Sequence, residues 1–151
     1  MHLTARPDDM RRVWRYYEAR TALVASRLNG LGARLGWGPA AIVARRPEAT
    51  FYVWADLSRL PRVPGKSATD VELARFLRAV RAPPCPSGEG INEGRLLVGV
   101  AAVPGSAFEM EPELLLMRFS CAVESLEDLG AAMDAVDAAV GELVCATTQR
   151  R

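Results

Sequence analysis

Lysine is almost missing from this sequence. Lys66 is the only one, and the other eighteen of the nineteen basic residues are arginines. Histidine is as scarce: the one copy is His2, at a terminus that frays in most domains, so histidine-based triads and multi-histidine metal sites are excluded. The three cysteines (Cys85, Cys121, Cys145) are odd in number and widely spaced. They fit neither a disulfide framework nor a zinc knuckle, and are expected as two small buried hydrophobes and one loop thiol. No run reaches the ~18 apolar residues of a membrane span, and the opening MHLTARPDDM carries acids where a signal peptide would be apolar. The net charge is +1, with no basic block beyond Arg11-Arg12, Arg45-Arg46 and Arg150-Arg151, whereas a nucleic-acid binder needs a concentrated cationic footprint. These absences predict a cytoplasmic protein with no metal, no nucleic-acid partner and no membrane partner.

What is present suits one domain, 1–151. A chain of 151 residues, half of them hydrophobic, buries ~70% of the surface its unfolded form exposes. Residues 8–31 place Met10, Val13, Trp14, Tyr17, Val24, Leu28 and Leu31 at helical spacing, with Asp8 and Asp9 where the macrodipole favours acids and Gly30 and Gly32 as the stop. A turn-rich segment, Leu35 to Pro39, leads to a short apolar stretch, Ala41 to Ala44. A strand follows over Thr50 to Leu57, where Phe51, Val53, Ala55 and Leu57 share one face. Ser67 or Thr69 caps a second helix with Leu73, Phe76, Leu77 and Val80 as its stripe. Residues 82–94 are rich in Pro and Gly and read as a surface loop. The apolar run Leu96 to Val103 reads as a strand covered on both faces or placed at an edge. Leu114 to Cys121 is a third strand, and Ser125 with Asp128 opens a last helix whose seam is Leu126, Leu129, Met133, Val136, Val140 and Leu143. The order helix, strand, helix, strand, strand, helix predicts an α+β fold: a two-layer domain with a small, mostly antiparallel sheet and helices packed mainly on one face.

Arg118 fits a purely structural reading least well, being a permanent charge inside the strand LLLMRFSC. Period two puts it on the face of Leu114, Leu116 and Ser120. An unpaired guanidinium in closed core would cost several kcal/mol, so the side chain reaches water or an anion. Two readings stay open on spacing alone. One is an arginine that snorkels to solvent or pairs with a local Glu; the other is a planar fork presented from a rigid strand to a carboxylate or phosphate.

The blocks Arg46-Pro47-Glu48-Ala49-Thr50-Phe51-Tyr52-Val53-Trp54-Ala55-Asp56-Leu57, Val100 to Phe108 (VAAVPGSAF) and Leu116 to Ala122 (LMRFSCA) occur in this order and spacing. Together they resemble the C-terminal small domain of the class I/II aminotransferases, pyridoxal-phosphate enzymes of fold type I. The resemblance runs from about Asp8 to Leu143. It implies that Arg118 binds the substrate's α-carboxylate, and that the loop containing Pro104, Gly105 and Ser106 borders the active-site entrance, although Pro-Gly also ends strands as a simple turn. Phe51, Tyr52 and Trp54 are expected to pack rather than to touch substrate.

The departures matter as much. In the family, the large domain supplies the Schiff-base lysine, the aspartate at the pyridine nitrogen and the phosphate-holding groups. Lys66 is the one amine side chain available and sits in no block matching that lysine, so it is expected as a solvated surface residue. The resemblance therefore implies pyridoxal phosphate for the complete enzyme, none bound to this chain alone, and no catalytic residue within it. Amino-acid and 2-oxo-acid substrates would be met together with the missing large domain, and the surface left bare would expose apolar area and favour a homo-oligomer. The alternatives are a non-catalytic amino-acid or anion-binding module that uses Arg118, and a docking partner of a separate large domain.

Overall fold

The computed structural model describes residues 7–36, 38, 42–48, 50–79, 102–123 and 125–148. His2, Cys85, Val80, the loop at 82–94 and the first part of the 96–103 run lie outside them. Helix α1 spans Pro7–Arg34. Strands β1 (Val43–Arg45) and β2 (Tyr52–Asp56) follow, then helix α2 (Asp70–Ala79), strand β3 (Ala102–Pro104), two 3-10 turns (Gly105–Phe108 and Pro112–Leu114), strand β4 (Leu116–Ser120) and helix α3 (Leu126–Thr148). The four strands form one antiparallel sheet in the order β1-β2-β4-β3.

Alternation along the two central strands decides the layering. Val53 and Ala55 of β2 and Met117 and Phe119 of β4 are buried, while their neighbours Tyr52, Trp54, Leu116 and Arg118 are only half-buried. The buried face meets one continuous core with Val24, Leu28 and Leu31 of α1, Leu73 and Leu77 of α2, and Leu129, Met133, Val136, Val140 and Leu143 of α3. The result is the expected two-layer α+β arrangement, with a helix layer on one face of the sheet and the second face left open.

Local signals set most helix ends. Thr69 Oγ1 accepts the Glu72 N–H at 3.3 Å, and the Glu72 carboxylate reaches back to the Ala68 N–H at 3.0 Å, which starts α2. Ser125 Oγ accepts the Asp128 N–H at 2.9 Å and donates to the Asp128 carboxylate at 2.6 Å, which starts α3. The expected stop of α1 at Gly30 and Gly32 does not occur. The helix continues to Arg34, and Gly36, at φ +75°, ends it. Two glycines cost roughly 1 kcal/mol each inside a helix, which the burial of Leu28 and Leu31 outweighs.

Four further features differ from the sequence-based expectation. The stretch before residue 45 supplies a fourth strand, β1, at one sheet edge, and Asn29 of α1 binds it through both amide atoms: its Nδ2–H donates to the Ala44 carbonyl at 2.9 Å, and its Oδ1 accepts the Ala44 N–H at 2.7 Å. Leu114 lies in a 3-10 turn rather than in β4. Leu115, fully buried at φ 48°, reverses the chain into the strand, and its carbonyl accepts the Leu57 N–H at 3.2 Å. The apolar stripe of α1 is buried only in its second half: Met10, Val13 and Trp14 are 59%, 50% and 53% exposed, and with Pro47 and Phe51 they line an open groove of about 420 Å³. At the start of α3, Leu126 is exposed rather than part of the buried seam.

Arg27 and Arg34 bridge α1 to α3, with Arg27 on Asp134 and Asp137 and Arg34 on Asp137 at 2.8 Å. The hydrogen bond with Asp134, helped by the charge of Asp137, raises the Arg27 guanidinium above its ordinary value despite the opposing effect of burial.

Candidate functional site

Arg118 stands at the centre of the open face. The register places it opposite Trp54 on one side and Val103 on the other, so its side chain rises from the middle of the sheet on the side away from the helices. Aromatic rings hold it there. Its guanidinium carbon lies 4.1 Å from the centre of the Tyr52 ring and 4.4 Å from that of Phe108. Phe108 in turn meets Trp54 edge to face at 5.3 Å. Each ring contact contributes about 0.5–1 kcal/mol at a partly exposed site.

Ring contacts satisfy none of the five N–H donors of a guanidinium. The Nε atom of Arg118 is buried with no hydrogen-bond partner, and no carboxylate among the described residues pairs with the side chain. The reading in which Arg118 is tied to a local Glu is thus not what the structure displays. A fixed planar cation with free in-plane donors, on an apolar floor, can take a carboxylate or phosphate in bidentate fashion.

Pro104 closes β3 and Gly105 to Phe108 form the 3-10 turn beside this cation. Gly105 is needed for packing: a Cβ there would come within 3.0 Å of Leu116 Cβ and of the Leu116 carbonyl oxygen. Ser106 is held by the carboxylate of Asp70, fully buried in the first turn of α2. The Ser106 N–H donates to Oδ2 at 2.7 Å and its hydroxyl to Oδ1 at 3.0 Å. The turn therefore brings Phe108 to Arg118, and Pro104, Gly105 and Ser106 form the backbone that leads to it. Tyr52 and Trp54 pack on the open face against Arg118 and Phe108, whereas Phe51 stacks with Tyr17 of α1 at 5.3 Å. Phe108 and Asp70 were not singled out in the sequence. An alternating aromatic strand beside a lone arginine is a usable signal for the ring walls, but nothing local marks Asp70.

Lys66 does not join this site. Its ammonium pairs with Glu142 of α3 and lies 5.1 Å from the Phe76 ring of α2, on the helix layer, so it is half-buried and paired rather than freely solvated. Pyridoxal phosphate binds through a lysine imine, and the chain's one lysine is tied into helix packing away from Arg118. Cys121 is buried next to β4, and burial pushes its thiol up to about 11; Cys145 is exposed on α3, against the expectation that only the loop thiol would be open. Among the described residues no group of three or more His, Cys, Asp and Glu could hold a metal ion, and no helix is long and apolar enough to cross a membrane.

The fold is similar to that of part of an aspartate aminotransferase. Among solved structures, the aspartate aminotransferase from Rhizobium meliloti matches over 91% of this chain with a TM-score of 0.59 at 24% identity, and the match covers 28% of that enzyme's chain. Neither the protein-family models nor the curated proteins contain a match.

Proposed function

We propose that this chain is the substrate-clamping small domain of a pyridoxal-phosphate-dependent aminotransferase, which moves an amino group between an amino acid and a 2-oxo acid. In this reading Arg118 grips the substrate carboxylate, the cofactor and its lysine belong to polypeptide outside these 151 residues, and the chain alone does not transaminate. One observation carries the proposal: the Arg118 guanidinium stands on the open sheet face against Tyr52 and Phe108, with no carboxylate paired to it among the described residues. The fold supports it, because 91% of this chain matches 28% of an aspartate aminotransferase. The chemistry supports it as well, since a charged hydrogen-bonded pair contributes roughly 1.5–3 kcal/mol and an oriented carboxylate fixes the reacting carbon in place.

Arg118's own part is limited and specific. It binds and orients, and it neither takes nor gives a proton. The rings restrict its rotamers, so less conformational entropy is lost when a carboxylate docks. The test is a calorimetric titration of the chain with amino and 2-oxo acids, alongside Arg118→Ala. Binding that disappears in the variant is the expected result, and binding that survives it refutes the role. A protein-bound absorbance band that forms with pyridoxal phosphate and persists through desalting would refute the assignment of the cofactor to other polypeptide.

A further inference from the structure

Phe108 is 40% exposed, so burial alone does not fix its ring against Arg118. Something else must hold the turn that carries it. The 3-10 turn Gly105–Phe108 is closed at its far end by Glu109 at φ 63°, whose N–H donates to the Ser106 carbonyl at 3.3 Å. At its near end the sole side-chain anchor among the described residues is Asp70, which takes both the backbone N–H and the hydroxyl of Ser106. A two-point clamp on one residue sets its backbone and its χ1 together. Asp70 is fully buried and lies at the N-terminal turn of α2, where helix amides favour a negative charge. An acid here, with no cation paired to it among the described residues, is costly unless its hydrogen bonds are made.

We propose that Asp70 is the positioning residue of the carboxylate site. By clamping Ser106 it sets the turn that lays Phe108 over the Arg118 guanidinium, and so preorganises the donors for an incoming carboxylate. Asp70 touches neither Arg118 nor substrate, and it acts through two intermediaries, Ser106 and Phe108. The inference rests on the carboxylate reading of Arg118, but its central link can be measured without any ligand.

Two readouts on the full chain test it. The Arg118 Nε–H resonance in proton–nitrogen NMR reports the ring contacts directly, because aromatic rings shift protons lying over their faces upfield. Titration with sodium acetate, against sodium chloride at matched ionic strength, reports carboxylate affinity. In Asp70→Ala the resonance should lose much of its upfield shift and approach its position in Phe108→Ala. Ser106→Ala, which keeps the backbone N–H bond, should move part of the way. Asp70→Asn, which keeps an acceptor for that N–H, should stay near wild type. Acetate affinity should fall roughly 3–10-fold in Asp70→Ala and in Phe108→Ala, as expected for releasing one immobilised side chain. The double variant should be no weaker than Phe108→Ala, because both changes break one chain of contacts. An Arg118 resonance unmoved by Asp70→Ala and Ser106→Ala overturns the proposal, as do losses that multiply in the double variant. Should Asp70→Ala not fold, Ser106→Ala decides by the same resonance. Acetate that fails to perturb Arg118 in the wild type would instead refute the carboxylate reading, leaving the resonance comparison to judge the Asp70 link.

Discussion

Removing the side-chain amide of Asn29 is a sharp test of how the sheet edge is held. In Asn29→Ala two hydrogen bonds to Ala44 disappear, the 2.9 Å bond to its carbonyl and the 2.7 Å bond from its N–H. At about 0.5–1.5 kcal/mol each, the loss is roughly 1–3 kcal/mol. Against it stands a gain of up to about 0.7 kcal/mol, because alanine is the better helix former and Asn29 lies within α1. The net expectation is a destabilisation of about 0.3–3 kcal/mol, with a fall of roughly 2–4 °C in Tm per kcal/mol for a chain of this size. Urea denaturation with an unchanged m-value measures it, and amide exchange at Ala44 locates it. The same substitution frees the outer edge of β1 for pairing with another chain, so sedimentation should become concentration-dependent. A midpoint at or above that of wild type, with Ala44 still protected, would refute the reasoning.

Other expectations concern the turns and the thiols. Leu115→Gly relieves a leucine held at φ 48° but removes a fully buried side chain; cavity loss outweighs strain, and thermal unfolding should show a net loss of about 2–4 kcal/mol. Gly105→Ala should destabilise the chain by about 1–3 kcal/mol, because its Cβ meets both side chain and backbone of Leu116 at 3.0 Å, and it should displace Phe108 as read by Arg118 NMR. Cys145 should react with a thiol reagent in the native state, while Cys121 reacts only on unfolding, as peptide mapping would reveal. The raised Cys121 value also has a stability consequence. Between its ordinary value of 9.0 and about 11 the folded chain keeps a proton that the unfolded chain has lost, so stability falls as pH rises through that window, by roughly 2–3 kcal/mol in all.

Much of this structure was legible in the residues because local rules and packing agreed. Alternation in FYVWADL and LMRFS placed the two central strands and put Arg118 on the face away from Met117 and Phe119. Ser125 with Asp128, and Thr69 before its apolar stripe, marked two helix starts that the hydrogen bonds match. Failures arose where a long-range contact overrode a local one. Gly30 and Gly32 looked like a stop, but core burial carried the helix past them. The three-residue strand β1 is too short for any period to register, and it exists because Asn29 and β2 pair with it. An acid opening α2 looks like an ordinary dipole partner, and its clamp on Ser106, 36 residues away, is invisible to spacing.

The long first helix is continuous in its backbone and divided in its energetics. Among the described residues, its first side-chain hydrogen bond to the rest of the molecule comes from the Tyr16 hydroxyl, donated to the Val123 carbonyl at 2.8 Å. The nine residues Pro7–Arg15, a rod of roughly 14 Å, have among the described residues only their own turns and a solvent-open trough for support. A segment this short is marginal as a helix by itself, so it should come apart and re-form many times while the remainder of the molecule stays intact. On heating, helical signal should begin to decline before the cooperative collapse, and whatever surface comes to cover Trp14 would recover that early loss.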